Sequence, residues 1–128
     1  MVDGTNDNRP VSPHLQIYRP QITSTLSILN RITGIAMSLA ALLIVWWFLA
    51  AAISPDYFNY VDGWLTSWLG VLVLVGSLLA FWFHFFNGLR HLRWDAGLGM
   101  GKGEVARSGK LAIVLSVGAT ALCIIFAL

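Results

Sequence analysis

Charged and strongly polar positions are crowded into the ends and connections of this chain, with long apolar stretches between them. Ile32 to Ile53 runs for 22 residues without a charge, Gly63 to Leu89 for 27 with His84 neutral, and Leu111 to Leu128 for 18. A hydrocarbon core of roughly 30 Å is crossed by about 20 helical residues at about 1.5 Å each. The first two stretches exceed that length and the third just reaches it. The pattern predicts an all-α membrane protein in one domain, residues 1–128, with three transmembrane helices over about 24–53, 63–94 and 107–128. Residues 1–22 form a polar arm in which Pro10, Pro13 and Pro20 forbid a long helix. Thr23 or Ser24 is the expected N-cap of the first span. Pro55 with Asp56 breaks the chain after it, and Gly97, Gly99, Gly101 and Gly103 loosen the connection to the third.

Composition removes the main competing class. The chain is 57% apolar and 11% charged, with eight Lys/Arg, six Asp/Glu and a net charge of +2. Soluble domains carry about a quarter charged residues, so this chain cannot cover a water-exposed globule. Eight cations without a dense cluster do not make a nucleic-acid surface. The single cysteine, Cys123, excludes an internal disulfide, and there is no CxxC or Cys/His array of the zinc type. The first 25 residues lack the compact apolar core of a secretory signal.

Placement of the charges predicts an orientation. Arg9, Arg19 and Arg31 precede or open the first span; Arg90, Arg93, Lys102, Arg107 and Lys110 lie between the second and third; residues 54–62 contain no cation. By the positive-inside rule the N-terminus and the 90–110 connection are cytoplasmic and the C-terminus lies outside. Trp46, Trp47, Tyr57, Tyr60, Trp64 and Trp68 gather at the predicted outer boundary, while Trp82 and Trp94 flank the inner end of the second helix.

Each predicted helix carries a stripe of small or polar residues. On the first, Ser27, Asn30, Arg31, Gly34 and Ser38 share roughly 100° of arc. The second has Gly70, Ser77, Ala80, His84, Gly88 and His91, continued by Asp95; the third has Ala112, Ser116, Ala119 and Cys123. Small residues let helices or a flat ligand approach closely, and helix packing alone accounts for the third stripe. His84 is different. It lies six positions inside Arg90, roughly 9 Å from the boundary, where an ionisable group is costly and marks function. A neutral imidazole bonded to a neighbouring helix is the bland reading, and a haem or metal ligand the functional one. His84 and His91 are about 10.5 Å apart along one helix and cannot face each other across one iron. His14 lies in the polar arm. A six-coordinate haem therefore needs its second ligand from another chain. Around the inner boundary, Ser27, Asn30 and Arg31 are expected level with Arg90, His91 and Asp95, a cationic cluster suited to haem propionates or a quinone headgroup. Snorkelling to lipid phosphate is the alternative for both arginines; for Arg31, Ser27 one turn away on the same face favours a shared site.

These motifs resemble the cytochrome b subunits of succinate dehydrogenase, the larger membrane anchor of respiratory complex II, over nearly the whole chain after residue 8. The resemblance rests on Arg9-Pro10-Val11-Ser12-Pro13-His14-Leu15-Gln16-Ile17-Tyr18-Arg19-Pro20, on Ser27-Ile28-Leu29-Asn30-Arg31-Ile32-Thr33-Gly34, and on His84-x-x-x-Gly88-Leu89-Arg90-His91-x-x-x-Asp95. The wording of the arm is similar to the alphaproteobacterial and mitochondrial branch. The resemblance implies His84 as an axial ligand of haem b, with the other ligand from a second, smaller anchor subunit in a shared helical bundle. It implies Ser27 and Arg31 at a ubiquinone site, and Arg31 and His91 near the haem propionates. An iron–sulfur subunit would dock on the cytoplasmic face of the inner membrane and pass electrons to quinone, while a flavoprotein subunit oxidises succinate, so no succinate chemistry resides in this chain. The family usually has histidine where this sequence has Asn30, which can form hydrogen bonds but cannot titrate near neutral pH. Two other readings share the three spans: a cofactor-free structural or assembly protein, and the anchor of a quinol:fumarate reductase.

Overall fold

A computed structural model of the chain describes residues 19–127. Residues 1–18, including Arg9 and His14, and Leu128 lie outside the described part. Among the described residues four helices follow in order: α1 Ile22–Ile53, α2 Pro55–Leu65, α3 Trp68–Asp95 and α4 Lys102–Ala127. Three of them, with 32, 28 and 26 residues, are apolar and long enough to cross a membrane. At about 1.5 Å per residue each exceeds the roughly 30 Å hydrocarbon core.

The helix ends explain where the observed spans differ from the sequence expectation. α1 starts at Ile22, capped by Gln21 rather than by Thr23 or Ser24. Ser24 instead reaches back from the first turn, its Oγ accepting from the Gln21 N–H at 3.2 Å. The segment expected as an outer loop, with the second span starting near 63, is mostly a separate helix. Ser54 has extended backbone and its Oγ accepts from the Tyr57 N–H, while Pro55 and Asp56 occupy the first turn of α2. Pro55 breaks α1 yet suits the first turn of a new helix, and Asp56 complements its dipole. The span that follows starts at Trp68, capped by the Ser67 hydroxyl on the Gly70 N–H. Gly97 and Gly99, with φ of 75° and 76°, turn the chain back after α3. α4 then opens at Lys102, five residues before the expected start, with Glu104 Oε2 accepting from the Gly101 N–H.

α3 packs between α1 and α4, and α2 closes the end of α1 opposite the cations. Trp46 Nε1 donates to the Tyr57 hydroxyl at 2.9 Å, and Trp47 Nε1 donates to Asp62 Oδ1 at 3.2 Å. Of the expected α4 stripe, Ala112 and Ser116 are buried while Ala119 and Cys123 are half-buried; Gly109 and Thr120, outside that stripe, are buried with them. Ser116 and Thr120 return their hydroxyl protons to their own helix, which satisfies them without a partner helix. Among the described residues the buried apolar set is only Leu26, Ala50, Val61, Ala80, Phe83 and Ala112. Most large apolar side chains point outward, a surface at rest only against lipid or further helices.

Candidate functional site

A polar ring inside a membrane helix needs a partner on a neighbouring element. His84 of α3 finds one on α1. Its Nδ1 lies 3.0 Å from the Asn30 backbone carbonyl and 3.2 Å from Thr33 Oγ1. A carbonyl oxygen has no proton to give, so the ring nitrogen donates, and the neutral imidazole carries its proton on Nδ1. The lone pair then sits on Nε2, which makes no hydrogen bond among the described residues. Gly34 lets the α1 backbone approach the ring: a Cβ there would lie 3.1 Å from His84 Cε1.

Two apolar grooves flank this crossing. One, of about 370 Å³, runs between Met37, Ala41 and Ile44 of α1 and Leu74, Ser77 and Phe81 of α3. The other, of about 340 Å³, is bounded by Leu29 and Thr33 of α1, Ala80 and Phe83 of α3, and Ser116 and Val117 of α4. No group of three or more His, Cys, Asp or Glu side chains converges among the described residues. The chain thus presents one oriented imidazole lone pair at an apolar crossing rather than a closed cage for a bare metal ion.

The other residues marked by the sequence fall into two sets. Ser27 is half-buried and Arg31 exposed on α1, and neither forms a hydrogen bond or ion pair among the described residues. Along the helix Arg31 lies about 4.5 Å and Ser27 about 10.5 Å from Gly34, both toward the cationic end. Asn30 engages His84 through its backbone, while its side-chain Oδ1 is buried without a partner. His91 packs edge-on against Trp94 at 5.0 Å and 81°.

Arg90 departs from the expected cluster. It neither joins Ser27 and Arg31 nor snorkels outward: it is 6% exposed, turned toward α4. Its Nε donates to Ser108 Oγ at 3.0 Å, Nη1 to Asn87 Oδ1 at 3.0 Å and Nη2 to the Val105 carbonyl at 3.2 Å. The guanidinium carbon sits 4.1 Å from the centroid of the Trp94 ring. The cause is helical phase. Arg90 is about 100° around α3 from its neighbour His91, so the phase that turns Arg90 toward α4 sets His91 on a different face.

Sequence reasoning passed over two residues. Thr33 lies off the α1 stripe, and a threonine in a membrane helix ordinarily bonds back to its own turn. Asn87, fully buried, carries no motif; its place one turn before Arg90 was the available signal.

The model of the succinate dehydrogenase/fumarate reductase transmembrane subunit family matches residues 5–123. The chain is 42% identical over 125 residues to the succinate dehydrogenase cytochrome b556 subunit of Paracoccus denitrificans, covering 98% of this chain and 94% of that one. It is 39% identical over 111 residues to the cytochrome b556 subunit of Rickettsia bellii (strain RML369-C), covering 87% and 86%. It is 36% identical over 107 residues to the cytochrome b560 subunit of Marchantia polymorpha, covering 80% and 78%. Three apolar helices of spanning length and these matches along nearly the whole chain lead to one conclusion: this multi-pass membrane protein belongs to the succinate dehydrogenase/fumarate reductase transmembrane subunit family.

Proposed function

We propose that this chain is the larger membrane anchor of a succinate:quinone oxidoreductase, that it holds haem b jointly with a second anchor subunit, and that it lines a ubiquinone-reduction site. The carrying observation is the Nδ1 contact of His84 with the Asn30 carbonyl, 3.0 Å long, which leaves Nε2 as the free donor. Ligating histidines usually commit their other ring nitrogen to an acceptor in this way. The residues present fit a haem. The ring is oriented by α1, the backbone at Gly34 leaves room for it, and apolar grooves flank the crossing. A bound haem b would supply one-electron redox capacity inside the membrane.

His84 would hold the iron through Nε2, and the partner anchor would provide a second ligand. Arg31 and His91 lie toward the cationic end, where charge and hydrogen bonds would meet the anionic propionates. Ser27 would donate its hydroxyl to a quinone oxygen, and Arg31, free of any acidic partner among the described residues, would stabilise negative charge developing there. Electrons would arrive from an iron–sulfur subunit docked at the cytoplasmic face, supplied in turn by a flavoprotein subunit. Asn30 in place of the usual histidine leaves the His84 contact intact, because that contact uses the backbone carbonyl, which every residue type provides. The matched family spans both reaction directions, and the relatives' succinate dehydrogenase names favour succinate oxidation. The charge distribution supports an inner-membrane orientation with a cytoplasmic N-terminus and a periplasmic C-terminus.

The test is His84→Ala in the purified complex. The dithionite-reduced haem b spectrum should vanish or convert to a weakly bound form. An unchanged spectrum would remove the ligand assignment.

A further inference from the structure

Serine and threonine in α1 and α3 mostly have simple hydrogen bonding. Ser38 Oγ donates to the Gly34 carbonyl, and Ser77 Oγ to the Val73 carbonyl, each one turn back in its own helix. Thr33 is not like them. Its Oγ1 lies 2.9 Å from the Leu29 carbonyl, 3.0 Å from the Asn30 carbonyl and 3.2 Å from His84 Nδ1 on another helix.

A hydroxyl has one proton and two lone pairs. Both carbonyls are acceptors only, so one of them takes the Thr33 proton, and the oxygen faces the imidazole with a lone pair. The reverse arrangement, with Thr33 donating to Nδ1, would strip Nδ1 of its own proton. Two lone pairs, those of Nδ1 and the Asn30 carbonyl, would then confront each other at 3.0 Å. The Nδ1–H is therefore shared between the Asn30 carbonyl and the Thr33 hydroxyl.

We propose that Thr33 is a positioning residue for His84: with the Asn30 carbonyl it accepts the Nδ1 proton, fixes the tautomer and plane of the ring, and raises the electron density on Nε2. The proposal rests on the reading of His84 as an iron ligand. Of the two acceptors, only Thr33 can be removed by substitution, since the carbonyl belongs to the backbone. A hydrogen bond from Nδ1–H gives the imidazole more anionic character and favours the more positively charged, oxidised iron. Loss of the Thr33 acceptor should therefore raise the haem midpoint potential. The methyl group of Thr33 contributes packing only, so serine should retain the effect and valine, which is nearly isosteric, should lose it.

The experiment compares Thr33→Val and Thr33→Ser with the unmodified chain in the purified, assembled complex. Haem content and midpoint potential are read by optical redox titration, and the low-spin signature by EPR of the oxidised complex. In Thr33→Val the reduced-to-oxidised ratio at a fixed potential should increase on the order of tenfold, about 59 mV for one electron, with an altered EPR signature. Thr33→Ser should remain close to the unmodified complex. Loss of haem in Thr33→Val with retention in Thr33→Ser would support the same role. A Thr33→Val complex with unshifted potential and EPR signature would overturn it. So would equal shifts or equal haem loss in both variants, because the cause would then be the methyl group and not the oxygen. If Thr33→Val does not assemble, Thr33→Ala against Thr33→Ser decides on the same readouts. Haem absent from the unmodified complex would instead defeat the reading of His84, and with it this proposal.

Discussion

Replacing Arg90 by methionine should loosen the α3–α4 contact, and replacing Asn87 by leucine in the same chain should restore most of what is lost. Hydrogen bonds to a charged group contribute about 1.5–3 kcal/mol each, and Arg90 makes three, to Asn87, Ser108 and Val105. Burying the guanidinium costs several kcal/mol, which offsets much of that gain. The net effect of the substitution therefore depends on what it strands. Ser108 Oγ still donates to the Val105 carbonyl at 3.1 Å, so those two groups keep a partner. Asn87 does not. It is fully buried, its Nδ2 already lacks a partner, and Arg90 Nη1 is the donor to its Oδ1. A buried amide left without any bond costs about 1–3 kcal/mol, and loss of the Trp94 stacking about 0.5–2 kcal/mol. Arg90→Met should thus destabilise by about 1.5–5 kcal/mol. Arg90→Met/Asn87→Leu removes the stranded amide, leaves only the lost Trp94 stacking, and should fall within about 2 kcal/mol of the unmodified chain. The assay is SDS-titrated unfolding of the purified chain in mixed micelles, followed by tryptophan fluorescence, to which Trp94 contributes directly. Additive losses in the two substitutions would refute the reasoning, since the cost would then lie in the charge itself and not in the abandoned partner.

Two further outcomes follow from packing. Gly109→Ala should cost about 1–3 kcal/mol in the same assay, because the new methyl would run into Leu26 Cδ1, and Leu26→Val should recover part of it; equal stability would mean that α1 and α4 are not in tight contact there. Trp46→Phe with Trp47→Phe should remove about 1 kcal/mol per lost hydrogen bond and speed amide exchange across α2 alone, and uniform acceleration over all helices would count against a local tether.

The parts of this protein legible in its sequence are those set by transfer between water and hydrocarbon. Three charge-free stretches read as three spans because each charge at the bilayer centre costs several kcal/mol. The same cost made His84 conspicuous before any contact was known. α2 was not legible as a helix. Residues 54–62, with Pro55, Asp56 and Asp62, read as a connection, and what holds the helix is two tryptophans reaching over from α1 to Tyr57 and Asp62.

Within the spans the sequence alone could not say which way a side chain faces. In a soluble helix the apolar stripe marks the inside, but here the lipid face is as apolar as the protein face, and periodicity loses its sign. Polar residues could be identified as exceptional without revealing which helix they address. Arg90 and His91 are neighbours in sequence and both touch Trp94, yet only Arg90 also reaches α4, through Ser108 and the Val105 carbonyl. Thr33 became part of the site only because α1 and α3 cross at Gly34, which brings its hydroxyl and the Asn30 carbonyl to His84. Solvent preference is a property of each residue and can be read along a chain. The direction of the Nδ1 hydrogen bond is a property of two helices in contact, and only the tertiary structure decided it.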